Sequence, residues 1–221
     1  MTDITLDNGT LAAPGKLICI GLNYRDHALE AGFDLPTQPL SFAKFPSSLI
    51  GPGEPIRIPT ISKDIDYEAE LAVIIGRAAR DVTPDEALDY VIGYTCFNDV
   101  SARDIQAADG QWTRSKSLDT FGPIGPRIAS ADEIDPQALA IRCLLNGEVM
   151  QEGSTADMVF SVAEIVSYVS RDTTLEPGDI IATGTPAGIG LSKRPPRFLV
   201  DGDEFTVEIE GIGSVTNPVI G

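Results

Sequence analysis

Three carboxylates carry the strongest chemical signal in this chain. Glu68 and Glu70 stand two residues apart at the head of the run Asp66-Tyr67-Glu68-Ala69-Glu70-Leu71-Ala72-Val73-Ile74-Ile75-Gly76, and Asp99 closes a second apolar run, Ile92-Gly93-Tyr94-Thr95-Cys96-Phe97-Asn98-Asp99. The first run reads as a strand buried on both faces, and the second is strand-like as well. Alternate residues of a strand share a face, so Glu68 and Glu70 project the same way, beside Ala72 and Ile74. Two like charges over an apolar floor repel unless an Arg or Lys, bound protons or a metal ion compensates. An isolated Glu-x-Glu is more often a solvated strand end. A third acid delivered by a second strand instead makes a three-oxygen site for a hard cation, Mg²⁺ or Mn²⁺.

The only histidine, His27, follows the run Asn23-Tyr24-Arg25-Asp26. Asn23 reads as the N-cap of a short helix that Gly32 closes. His27 and Glu30 are three apart and share a face of it. The plain reading is a surface ion pair. The chemical one is a dyad in which Glu30 orients His27 to take a proton from water.

Two further stretches suit an anion. Residues 110–122 are polar and turn-rich and hold the sole Trp112 with Arg114 and Lys116. Two cations in one loop of an acidic protein are either an anion site or plain surface charge. Gly184-Thr185-Pro186-Ala187-Gly188 follows the strand-like Ile180-Ile181-Ala182-Thr183. Backbone N–H groups of such a loop can hold a carboxylate or phosphate, unless the loop is only a turn. It is not a Walker loop, because no Gly-Lys-Ser/Thr follows.

The elements that position these groups are mostly strands. The 221 residues, 43% hydrophobic, are enough for one sizeable core. The patterns predict four or five short helices against about ten strands, without regular β-α-β alternation. That gives a strand-dominated α+β fold: residues 1–15 as a short arm or hairpin, then one catalytic-sized domain over 16–221. Thr83-Pro84-Asp85-Glu86 and Ser161-Val162-Ala163-Glu164 are capping boxes that start helices. Asn146-Gly147 predicts a hairpin turn, and residues 33–59 read as a long loop with brief extended pieces.

A net charge of −17 argues against nucleic acid or an anionic membrane as partner. Cys19, Cys96 and Cys143 each lie in an apolar strand-like run and read as buried free thiols of a reducing compartment. Without a signal peptide pattern or a long apolar run, the expected location is cytoplasmic.

Taken together and in order, these stretches resemble the fumarylacetoacetate hydrolase family. The resemblance rests on Gly21-Leu22-Asn23-Tyr24-Arg25-Asp26-His27, Asp66-Tyr67-Glu68-Ala69-Glu70-Leu71, Phe97-Asn98-Asp99-Val100-Ser101-Ala102-Arg103-Asp104, Lys116-Ser117-Leu118-Asp119-Thr120-Phe121-Gly122-Pro123, Asn146-Gly147-Glu148 and Gly184-Thr185-Pro186-Ala187-Gly188. It implies a mixed β-roll, assembled as a homodimer, without the extra N-terminal domain that many relatives carry. It implies Mg²⁺ or Mn²⁺ on Glu68, Glu70 and Asp99, with His27 and Glu30 as a water-activating dyad. By the same likeness Gln106 and Lys116 hold the water and the substrate oxyanion. Thr185, Gly184 and Gly188 then meet the substrate carboxylate, with Arg25 a further contact. The implied reaction is hydrolysis of a C–C bond in a small 2,4-dioxo acid. Alternatives on the same site are oxaloacetate decarboxylation and dienoate isomerisation or hydration, and the rival from another class is a non-catalytic acidic binding module.

Overall fold

Two neighbouring antiparallel strands, Ala69–Ile75 and Val91–Asn98, form the middle of the molecule in the computed structural model, which describes residues 3–221. They lie in a seven-stranded sheet ordered Leu40–Lys44, Leu17–Gly21, Ile180–Ala182, Ala69–Ile75, Val91–Asn98, Gly122–Ser130, Leu49–Ile50. Every residue of Ala69–Ile75 is buried. Leu71, Val73 and Ile75 enter one apolar cluster, and Ala72 and Ile74 enter another on the opposite face. A strand covered on both sides reads as a continuous apolar run, which is what this segment shows.

A five-stranded sheet packs on the first of these faces, ordered Glu148–Ser154, Ala140–Leu145, Glu204–Ile209, Gly213–Ile220, Ile56–Arg57. The rings of Tyr67 and Phe205 meet between the two sheets, centroids 4.9 Å apart. The helix Val162–Ser170 buries Val162, Ile165 and Val166 in the same core, and its capping box at Ser161 and Glu164 is formed. The opposite face of the large sheet is covered in part by the hairpin Ile4–Leu6 and Gly9–Leu11, which buries Ile4, Leu6 and Leu11. Met1 and Thr2, part of the expected N-terminal arm, lie outside the described residues.

The fold is therefore strand-dominated α+β, with five short α-helices and sixteen strands among the described residues. The excess over the expected ten or so strands comes from pieces such as Leu49–Ile50, Ile56–Arg57 and Ile65–Asp66. Two residues carry no periodicity to read. No helix among the described residues is long and apolar enough to cross a membrane.

Asn23 corrects one expectation. Tyr24, not Asn23, occupies the N-cap of Arg25–Glu30. The buried Asn23 amide instead donates to Phe160 O at 3.1 Å and Thr183 O at 2.8 Å and accepts from the Phe160 N–H at 2.9 Å. Three long-range bonds use the amide more fully than one cap would. They lock the His27 helix to the glycine-rich loop.

Candidate active site

Strand register brings the three carboxylates together. Ala69 pairs with Asn98 at the end of the two central strands. Glu68 and Asp99 each lie one residue beyond that pair, and Glu70 sits one residue inside it. Asn98 Oδ1 accepts the Glu68 N–H at 3.1 Å and Glu68 O accepts the Asp99 N–H at 2.9 Å. One oxygen from each of Glu68, Glu70 and Asp99 lies within 4.8 Å of the others, and all three residues are buried.

Buried cations surround two of the three acids. Lys116 Nζ donates to Glu68 Oε2 at 2.9 Å and to Asp99 Oδ2 at 2.7 Å. Lys44 Nζ donates to Asp99 Oδ1 at 2.6 Å and to the carbonyls of Phe121 and Val100. Arg103 spans Glu68 Oε1 at 2.6 Å, Asp66 Oδ2 at 2.8 Å and Gln106 Oε1 at 3.0 Å. Glu70 differs: among the described residues it accepts only the Gly184 N–H, at 2.9 Å. Burial pushes the Glu68 carboxyl up, but Lys116 and Arg103 outweigh it and hold the group down at about 2. Burial also pushes Glu70 up; the charges of Asp99 and Glu68 add to that, so it lies well above the usual carboxylate range. Lys116 would be lowered by burial, yet Asp99 and Glu68 keep it above the usual lysine value.

This donor set fits a metal ion. Asp66, Glu68, Glu70 and Asp99 face Lys44, Lys116 and Arg103. One formal negative charge is left over, on Glu70, the acid without a cation. All-oxygen ligands closing on one point suit a hard divalent cation, which would reverse the sign of that excess and leave the site attractive to an anion.

A cavity of about 290 Å³ opens above the acids, lined by Glu68, Glu70 and Lys116 at its base. Its apolar walls include Ile20, Leu22, Phe42, Trp112 and Ile189, with His27, Gln106 and Thr185 as polar members. Trp112 meets Phe42 edge-on at 5.3 Å, and Lys116 Nζ lies 5.2 Å from the Phe42 ring centre. Gly21 makes room for the indole: a Cβ there would run into the Trp112 ring.

The remaining sequence candidates divide. His27 lines the cavity, with Nδ1 buried and without a hydrogen-bond partner among the described residues. Glu30 Oε2 is 3.7 Å from that nitrogen, too far for a hydrogen bond, and its carboxylate accepts the Gly188 N–H at 3.0 Å. Partial burial would raise Glu30; His27 and the Gly188 N–H outweigh it and hold the carboxyl low. The N–H groups of Gly184 and Gly188 are thus committed to Glu70 and Glu30 rather than turned to the cavity. Gly184 has φ +99, and a Cβ there would lie 2.8 Å from Asn23 Cβ, so only glycine brings this N–H to Glu70. Thr185 is the loop residue that faces the cavity.

Arg25 is exposed and is not among the lining residues, because it starts the helix on its solvent side. Of the two loop cations, Arg114 is a surface partner of Asp109 at 2.6 Å, whereas Lys116 is buried among the acids. The segment itself is a short helix, Trp112–Lys116. Lys44, Asp66 and Arg103 were not singled out as site residues from the sequence. A lysine ending an otherwise uncharged strand, Leu40–Lys44, was the one available signal for the first.

Comparison with known proteins accords with this geometry. The family model described as fumarylacetoacetate (FAA) hydrolase C-terminal matches residues 16–220. The chain is 46% identical over 210 residues to a mitochondrial oxaloacetate tautomerase of Xenopus laevis, covering 94% of this chain and 66% of that protein. Among solved structures, it is similar to a fumarylacetoacetate hydrolase from psychrophilic Exiguobacterium antarcticum at TM-score 0.88 and 45% identity, over 96% of this chain and 78% of that one. It is also similar to a 2-hydroxyhepta-2,4-diene-1,7-dioate isomerase from Mycobacterium marinum at TM-score 0.85 and 43% identity, over 96% of this chain and 77% of that one.

Proposed function

Because the chain belongs to the fumarylacetoacetate hydrolase family, we propose that it catalyses a proton shift in a small 2-oxo acid, most specifically keto–enol tautomerisation of oxaloacetate. The observation that carries this reading is the meeting of Glu68, Glu70 and Asp99 with Lys116 beneath a cavity of about 290 Å³. That volume is at the small end for ligand pockets, roughly 300–1,000 Å³, and suits a short acid. The similar tautomerase and dienoate isomerase support a proton shift over other outcomes.

Glu68, Glu70 and Asp99 would hold Mg²⁺ or Mn²⁺. When bound, such an ion would supply a positive charge that polarises the carbonyl oxygen of a 2-oxo acid. Lys116 adds a fixed positive charge where negative charge develops on that oxygen. Gln106 and Thr185 hold the substrate from above. The His27 imidazole lines the cavity and moves the proton. In the reaction the C–H bond beside the carbonyl breaks and an O–H bond forms on the carbonyl oxygen, with no co-reactant. Phe42, Trp112, Leu22 and Ile189 keep water from the base.

Hydrolysis of a C–C bond in a 2,4-dioxo acid is the second reading, supported by the similar fumarylacetoacetate hydrolase. It ranks second because hydrolysis needs a base oriented on a water, and Glu30 stands 3.7 Å from His27 with its carboxylate on Gly188. A homodimer in the cytoplasm completes the proposal. The test is the decay of the ultraviolet enol absorbance of oxaloacetate, with Mg²⁺ or Mn²⁺ and with chelator, beside an acylpyruvate cleavage assay. Metal-dependent acceleration of enol decay is expected. Cleavage of the acylpyruvate without any effect on the enol would put hydrolysis first.

A further inference from the structure

Gln151 lies behind the cavity wall, buried on the strand Glu148–Ser154 of the smaller sheet. Both lone-pair positions and both N–H groups of its amide are used. Oε1 accepts the Ala69 N–H at 2.9 Å and the Cys143 thiol at 3.4 Å. Nε2 donates to Pro186 O and to Thr185 Oγ1, each at 2.8 Å. A backbone N–H only donates and a backbone carbonyl only accepts, so this amide has one permitted orientation. Thr185 Oγ1 is therefore the acceptor toward Gln151. Its own proton must go elsewhere, and no acceptor among the described residues takes it. Thr185 lines the cavity together with Glu68, Glu70 and Lys116.

We infer that Gln151 is a positioning residue that fixes the Thr185 hydroxyl as a hydrogen-bond donor toward an anionic oxygen of the bound acid. The inference rests on the 2-oxo acid reading above. A freely rotating hydroxyl can offer either a lone pair or a proton. Above three carboxylates an incoming anion needs the proton, and a donor already oriented loses no reorganisation energy on binding. Ala69 stands between Glu68 and Glu70, so the same amide ties the head of the acidic strand to Thr185.

The probe is oxalate, a non-reacting mimic of a 2-oxo acid enolate, titrated calorimetrically at saturating Mg²⁺. Gln151→Glu keeps an acceptor for the Ala69 N–H but turns an acceptor on Thr185 as well, so the hydroxyl proton is drawn away from the cavity. Gln151→Met removes the donor. Each is expected to weaken oxalate roughly 10- to 100-fold, the scale of a hydrogen bond to a charged group. On a Thr185→Val background the same changes should alter affinity by less than about twofold, the limit of independent sites. The Mg²⁺-dependent rise in melting temperature should persist throughout. Oxalate affinity unchanged in the Gln151 variants overturns the inference, as does an equal loss on both backgrounds. Thr185→Ser should bind oxalate like the wild type and Thr185→Val should not; equal binding by these two overturns the inference even where the Gln151 variants fail to fold. A wild type that does not bind oxalate at all instead withdraws the 2-oxo acid reading.

Discussion

The backbone N–H of Asp99 donates to the carbonyl oxygen of Glu68 at 2.9 Å. Two of the three clustered acids are thereby spaced by main-chain geometry, independent of any ion. Their charges are balanced separately, by Lys44, Lys116 and Arg103 arriving from other elements. Among the described residues Glu70 has no such partner, and the three acids should therefore respond differently to substitution.

Asp99→Ala removes the partner of Lys44, whose ammonium then stays buried with only the Val100 and Phe121 carbonyls. Breaking a buried pair in this way costs about 3–5 kcal/mol, measurable by urea denaturation of the metal-free protein. Glu70→Gln keeps an oxygen for the Gly184 N–H and removes the uncompensated charge, so the metal-free protein should become more stable. Both variants should lose the Mg²⁺-dependent rise in melting temperature that ligand linkage gives the wild type. A Glu70→Gln protein less stable than the wild type would contradict this charge balance.

Away from the site, Asp203 should govern part of the acid stability. Its burial raises the carboxyl, but Arg197, the Val200 N–H and the Asn146 amide outweigh that and hold it below its usual value. A depressed folded-state value adds stability above the unfolded pKa, near 3.9, that is lost as pH falls through the folded one. Asp203→Asn should lower stability at pH 7 by about 1–2 kcal/mol, the scale of charged hydrogen bonds lost. It should also flatten the curve of stability against pH below about 4. Parallel wild-type and mutant curves in that range would exclude Asp203.

The central strands and the meeting of their acids were legible because burial on both faces leaves an uninterrupted apolar run, and alternation fixes which acids share a face. The counter-ions were not legible. Lys44 reaches Asp99 across 55 residues and Arg103 reaches Asp66 across 37, and no local pattern encodes such pairings. Asn23 misled for a related reason. Its type favours a cap, but tertiary contacts with Phe160 and Thr183 claimed the side chain. The capacity of the glycine loop to offer backbone N–H groups to a carboxylate was legible in the sequence, whereas Glu70 and Glu30, which occupy them, became visible only in the fold.

Trp112 should report on the cavity directly, since it is the only tryptophan and lines the wall. Oxalate with Mg²⁺ should change its fluorescence, and chelator should restore the original signal. Gly21→Ala places a methyl group against the indole, which overpacks the wall at a cost of about 1–3 kcal/mol and should raise KM for a short 2-oxo acid. Trp112→Ala should admit longer acids that the wild type excludes. An unchanged substrate range and unchanged fluorescence would remove Trp112 from the binding wall.

His27 and Glu30 separate the two readings of the chemistry. A proton shift needs one base facing the substrate, and the His27 imidazole lines the cavity. Hydrolysis needs that base to be held on a water, which requires Glu30 to close the present 3.7 Å gap. His27→Ala should cost tautomerisation on the order of 10²- to 10⁴-fold in turnover, the usual contribution of a positioned base. Glu30→Gln should cost it less than about tenfold, because Glu30 binds the Gly188 N–H rather than His27. If hydrolysis is the true activity, Glu30→Gln should instead approach the loss seen for His27→Ala. Enol decay and acylpyruvate cleavage measured in wild type and both variants decide between these outcomes. Should His27→Ala leave both rates intact, the proton is moved by another group and the histidine is only part of the wall.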